Sequence, residues 1–230
     1  MKKIMLAILV TAVLLGGSGC MNRKEVKIQK MVDYMNEKYS DDTFVYGRLF
    51  GGELGAKNVK IIVYSEKFPG ADIRVLSNEE NGKLYIRDNY LGIKFEEDTR
   101  EFLRDRISGV YGDNIYVSYR PDDMACTENG SSEMTFKEYI SSKSSYVTFN
   151  AAVISRDADE ETAWAEITDM FQGIPLSGTI YYISEDVQLS GEAGKENANE
   201  IFREKNYRAR VFFIKDAEDH FSSFDWEEKS

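Results

Sequence analysis

Cysteine, histidine and proline are scarce in this 230-residue chain, which has two, one and three of them respectively. That scarcity excludes whole classes of chemistry. A zinc site of the usual thiolate and imidazole ligands has too few donors, and a Ser-His-Asp triad would have to draw on His220, which lies in an acidic C-terminal stretch. No glycine-rich phosphate loop runs into Lys and Ser or Thr, no GxGxxG follows a strand pattern, and no GxSxG elbow occurs. The sequence therefore gives no reason to expect a cofactor or a metal, and no catalytic residue is assigned. Cys126 and His220 form the one available thiol-imidazole pair, but Cys126 falls in a polar loop and reads as an incidental thiol.

Positive charge is also in deficit, with 29 basic against 40 acidic residues and a net charge of -11. Without Lys2 and Lys3 the balance is 27 against 40, a net charge of -13. A chain so acidic repels polyanions on average, so nucleic acid, anionic lipid headgroups and phosphate-rich wall polymers are not expected as nonspecific partners. Hydrophobic residues make up 42% of the chain, which with few prolines is a globular composition.

Long apolar runs are missing except at the start. There Lys2 and Lys3 precede Ile4 to Leu15, which is too short to span a bilayer comfortably and has the form of an export signal. Gly17, Ser18 and Gly19 then lead directly into Cys20. This ending resembles the lipobox of bacterial lipoprotein precursors, although Gly17 stands where a branched aliphatic residue is usual. The resemblance implies a signal peptide over 1–19, lipid attachment at Cys20, and a tether over 20–23. The mature protein is then expected at the cell membrane on its extracytoplasmic face. Two acyl chains, at about 0.8 kcal/mol per buried methylene, hold a protein there stably. With Cys20 acylated, Cys126 has no partner for a disulfide.

About 210 residues remain for the fold, enough for one sizeable domain or two small ones. Ile28, Met31, Val32, Met35 and Tyr39 recur at helical spacing and predict an amphipathic helix. Four strand patterns follow at 43–50, 59–65, 72–76 and 83–87, with Asn81-Gly82 as a hairpin turn. Connections this short require antiparallel pairing. A helix over 97–107 feeds a strand at 114–120, and the polar stretch 121–134 reads as a loop or boundary. Thr135 and Glu138 have the spacing of a capping box. The strand 146–154 alternates, and a helix opened by Asp157, Asp159 and Glu160 buries Ala163, Trp164, Ile167 and Phe171. A strand at 178–184, a helix around Ala198 and Ile201, and a strand at 207–215 complete the pattern. Aromatic residues in the acidic tail beyond Asp216 suggest that it folds back.

The expected class is α+β, with amphipathic helices on mainly antiparallel sheet, arranged as two units over 24–120 and 135–230. YMNEKYSDDTFV at 34–45 is echoed by YISSKSSYVTF at 139–149, which raises the question of whether the units are related. Acids cluster at Asp41-Asp42, Glu96-Glu97-Asp98, Asp122-Asp123 and Asp157-Asp159-Glu160-Glu161. None has calcium-loop spacing, and most adjoin helix starts or turns.

Beyond the leader, EKYSDDTF closing the first helix and RDNYLGIKF ahead of the second give a layout similar to that of the small uncharacterised lipoproteins of Gram-positive bacteria. The resemblance carries no catalytic residue and no ligand. The reading is a membrane-anchored binding or protein-interaction module whose partners are the membrane, through lipid on Cys20, and an extracytoplasmic protein or small ligand. The alternatives are a carboxylate-based hydrolase of envelope material, which needs two acids converging in a cleft, and a structural component of an envelope complex.

Overall fold

The computed structural model describes residues 23–52, 57–121, 127, 129–142, 147–204 and 206–229. The leader, Cys20, the tether up to residue 22, Cys126 and Asp122-Asp123 lie outside the described residues. The fold is α+β, built on a four-stranded and a five-stranded sheet.

Helix α1 (Arg23–Lys38) leads into β1 (Phe44–Gly51), β2 (Asn58–Ser65), β3 (Ile73–Glu80) and β4 (Lys83–Asp88), an antiparallel meander in sequence order. The periodicity of α1 directs Met31, Met35 and Tyr39 inward, each fully buried, onto Val59, Ile61, Val63, Ile73 and Val75 of the sheet. Asn81 and Gly82 both take positive φ, at 52° and 76°, so a two-residue turn pairs Glu80 with Lys83. β3 runs on to Glu80, four residues past the expected end, because that turn keeps the pairing going.

Helices α2 (Tyr90–Lys94) and α3 (Glu96–Tyr111) lead to β5 (Ile115–Tyr119), then α4 (Phe136–Ile140), β6 (Val147–Ile154), α5 (Glu160–Met170), β7 (Leu176–Ile183), α6 (Gly191–Glu204), β8 (Ala209–Lys215) and β9 (Phe221–Glu228). Strands β5 to β9 form the second sheet in order. Its pairs are antiparallel except β6 with β7, where α5 supplies the crossover that parallel strands require. One face packs under α3 and α5 through Leu103, Ile107, Ala163 and Ile167, and the other carries α6 through Ala198 and Ile201. The acidic tail folds back as β9.

The units expected from the sequence differ from the sheets in two places. β5 falls within the 24–120 unit by chain order but pairs with β6 in the second sheet, and α3 packs there too. Conversely, Tyr139 of α4 is buried in the first core beside Phe95, and Phe136 packs against both cores. Among the described residues of 121–134, Thr127 bridges Asp88, and Lys94 donates to the carbonyls of Ser132 at 2.7 Å and Met134 at 3.3 Å, which ties these residues to the first unit. The echo at 34–45 and 139–149 matches an edge strand, β1, with an interior strand, β6, so the topology lends duplication no support.

Other expectations hold at the level of single residues. Thr135 and Glu138 form the capping box, and Asp159 caps α5 by accepting from the Thr162 amide at 2.9 Å. Trp164, placed on the buried face by its spacing, is instead 48% exposed with its ring 5.8 Å from that of Phe221; Met170 takes the inward place. His220 is exposed at the β8–β9 turn, 3.4 Å from Asp216.

Lys215 is fully buried at the end of α5. Its amine donates to the Phe171 carbonyl at 2.7 Å, the Ile174 carbonyl at 3.0 Å and Asp219 at 2.5 Å, so a cation satisfies the negative end of the helix. Burial alone would raise the Asp219 carboxyl, but Lys215 and the Gly173 amide hold it below its usual range. A carboxylate with a depressed folded pKa stabilises the fold above its unfolded pKa of about 4, and that contribution is lost as the pH falls through the folded value. Thermal melts should therefore decline below about pH 4, with a shallower decline in Asp219→Asn.

Gly178 faces the second core, where a Cβ would lie 2.6 Å from Phe149 Cε1 and 2.9 Å from Phe213 Cζ. Gly178→Ala is expected to destabilise the protein by about 1–3 kcal/mol through overpacking, read by thermal unfolding.

Candidate functional site

The carboxylates come first, since a hydrolase needs two of them in a cleft. Asp88 is fully buried at the end of β4. It accepts from Lys38 Nζ at 2.8 Å, from Tyr39 Oη at 2.9 Å and from the Tyr90 amide at 3.0 Å. The Lys38 amine also donates to Tyr34 Oη at 2.8 Å and to the Thr127 carbonyl at 3.1 Å, which uses all three of its protons. Burial pushes the Asp88 carboxyl up, opposed by Lys38 and by the hydrogen bonds it accepts. Asp42 accepts from Ser65 and from Tyr90 Oη at 3.0 Å; burial would raise it, but these bonds and the Thr43 amide hold it below the usual range. Segments 37–44 and 87–95, singled out by their sequence, thus meet in one satisfied network. It has the character of a structural clasp.

Other clustered acids have structural partners. Asp41 pairs with Lys67, and Arg100 pairs with Glu96 and Glu97 in the first turns of α3. Among the described residues no three His, Cys, Asp or Glu side chains gather as a metal site. A cavity of about 270 Å³ opens between α6 and the starts of β8 and the final segment. Its lining mixes Glu185 and Glu200 with Arg208 and Lys229, so it offers no net charge and no isolated carboxylate pair.

The outward face of the first sheet is different. Alternation sends Val59, Ile61, Val63, Ile73 and Val75 under α1, and must send their neighbours to the other side. Those neighbours are Lys60, Ile62 and Tyr64 of β2, Arg74, Leu76 and Asn78 of β3, and Lys83, Tyr85 and Arg87 of β4. On β1 two register shifts interrupt the alternation and bring Arg48 opposite Ile62. Five cations therefore share one face. Among the described residues the acids beside them include Glu80 at the hairpin and Asp72, which pairs with Arg48 at 2.8 Å.

Aromatic rings lie among these cations. The Arg74 guanidinium is 4.9 Å and Lys60 Nζ 5.9 Å from the Phe50 centroid, and Lys83 Nζ is 4.9 Å from that of Tyr85. The Tyr64 ring lies over Gly47, where a Cβ would sit 2.8 Å from it. Ile62 at 0% and Leu76 at 7% exposure are buried although they point away from the core. Around them Val45 at 57%, Tyr64 at 44% and the side chain of Arg48 at 54% remain exposed. An apolar floor under a cationic rim suits an anionic partner. Net charge concealed this face, because the acids that outweigh its cations lie elsewhere; counting charge by strand parity would have found it.

No protein-family model and no curated protein matches the sequence. The chain is similar to a DUF5037 family protein from Ruminococcus gnavus ATCC 29149. The crystal structure of that protein shares 14% identity, with 87% of this chain and 94% of that chain covered and a TM-score of 0.38.

The clasp and the face separate experimentally. Asp88→Asn leaves the Lys38 amine buried without its counter-charge, and unfolding experiments should show a loss of about 3–5 kcal/mol. The pair Lys38→Met with Asp88→Leu should cost less than the two single changes added together.

Proposed function

We propose that the protein is an extracytoplasmic binding module, held at a membrane by lipid on Cys20, that docks an anionic partner on the open face of its first sheet. The observation that carries the docking role is that face, with five cations over an apolar floor in a chain whose net charge is -11. The leader supports the anchor through its charged start, its short apolar run and the small residues before Cys20. Lys27, one turn into α1, donates to the Lys57 carbonyl at 3.2 Å and lies 3.7 Å from Glu79, so the helix starts beside the hairpin ends of the first sheet. Three residues from Cys20 reach at most about 10 Å, which keeps that sheet close to the anchor.

A role in assembling an envelope complex has its own support. Val45, Tyr46, Leu49 and Phe50 are all exposed on β1, an edge strand, and exposed apolar edges commonly pair with another chain. A hydrolase lacks comparable support, since the carboxyl raised by burial is already paired with Lys38.

The test has two parts. Intact mass of the protein from membranes should show a diacylglyceryl adduct that Cys20→Ala abolishes; a soluble, unlipidated mature form would remove the anchor. Unlipidated mature protein should bind washed cell envelopes in low salt, and Arg74→Glu with Arg87→Glu should release it. Retention unchanged by that charge reversal would sink the docking role.

A further inference from the structure

We infer that the cavity of the second sheet is a binding site for a small primary ammonium compound with an aliphatic stem. The site is separate from the open face of the first sheet and does not rest on the docking role. It opens beyond the carboxyl end of β7, beside α6. β6 and β7 run parallel and end level, Ile154 against Ile183. From there the chain leaves toward opposite faces, α5 on one and α6 on the other, the arrangement at which sheets with parallel strands form ligand crevices.

The walls are held in place by the fold itself. Arg156 donates to the Ser184 carbonyl at 3.1 Å, and Asn114 donates to the Val187 carbonyl at 2.6 Å while accepting from the Leu189 amide at 2.7 Å. Asn197 of α6 donates to the Gln188 carbonyl at 2.7 Å, which ties the helix to the same loop. Ile183, Ile201 and Tyr207, each 5% exposed, make an apolar floor with half-buried Val187. The volume of about 270 Å³ lies just below the range of about 300–1,000 Å³ that drug-sized ligands fill, so the occupant is smaller than these.

Formal charge balances across the lining, but partners do not. Arg208 donates to Glu228 at 3.0 Å and to the Ala158 carbonyl, and Lys229 Nζ lies 4.4 Å from the Tyr207 centroid. Both cations are thus engaged within the protein. Among the described residues, Glu185 and Glu200 have neither an ion pair nor a side-chain hydrogen bond. The charged groups left for a ligand are therefore acceptors, one on the loop after β7 and one on α6. An alkylammonium ion, charged at neutral pH, brings three N–H donors to them and lays its stem on the floor. Calcium fits this lining poorly, because it takes about six to eight oxygen ligands and the apolar floor supplies none.

Unlipidated mature protein, isotope-labelled for amide NMR, would be titrated with n-pentylammonium, pentanol, pentanoate and calcium. Pentylammonium alone should give saturable shifts at 184–188 and 206–208. Glu185→Gln and Glu200→Gln should each weaken its binding by about tenfold or more, the cost of losing a charged hydrogen-bond partner. Glu161→Gln, in the first turn of α5, should leave it unchanged. Both cavity glutamates are exposed, so the variants keep the fold, which an unaltered spectrum outside the cavity checks. Pentanol binding as tightly as the amine, or pentanoate or calcium binding more tightly, overturns the ammonium assignment. Shifts spread over the acid clusters without saturation at the cavity mean counter-ion association only and overturn the site, as does binding by none of the four.

Discussion

Asp88 is the group on which the first unit depends. Its carboxylate lies where four pieces of chain meet: the end of α1 through Lys38 and Tyr39, the end of β4, the start of α2 through the Tyr90 amide, and the 127 segment through the shared Lys38 amine. A buried ion pair of this kind stabilises a fold weakly relative to an apolar replacement, because desolvation offsets most of the attraction. Its effect is on geometry. With the three protons of Lys38 and both oxygens of Asp88 in use, α1 is held in one position over the sheet, and loss of the Thr127 carbonyl would leave the Lys38 amine one buried hydrogen bond short. Tyr39, Tyr90 and Phe44 then pack ring against ring around the same point, with centroids 4.3 to 6.1 Å apart.

The second unit solves a similar problem with the other buried lysine. Lys215 ends β8, reaches the last carbonyls of α5, and is fixed by Asp219 in the turn before β9. One side chain therefore ties a helix end to a hairpin. The two cores meet at α4, where Phe136 packs against both of them.

Local signals were legible wherever a few neighbouring residues decide the outcome. Asn81-Gly82 fixes a turn by tolerating positive φ, Thr135 and Glu138 satisfy each other's backbone donors, and Met31, Met35 and Tyr39 define a buried face by spacing alone. The misreadings concern choices made over distance. Nothing near β5 indicates whether it pairs with β4 or β6, and nothing near 121–134 shows that Thr127 will bridge Asp88. Trp164 sits at the margin of its helical stripe, where the rotation of about 100° between successive residues separates buried Ala163 from solvent.

The cationic face of the first sheet shows a subtler failure of the same kind. Its residues were visible individually, and strand parity was enough to sort them. Averaging over the whole chain erased them, since a net charge of -11 is compatible with a face where cations outnumber acids. Two constraints produce that face. The inward positions of β2 and β3 are committed to the core under α1, which leaves only the outward positions free to carry charge. The outward floor at Ile62 and Leu76 must still be kept from water, and Lys and Arg are the charged residues with apolar stems long enough to cover it. Glutamate and aspartate, shorter and fully hydrated, would leave the floor wet. Stability thus favours cations on this face before any partner is considered.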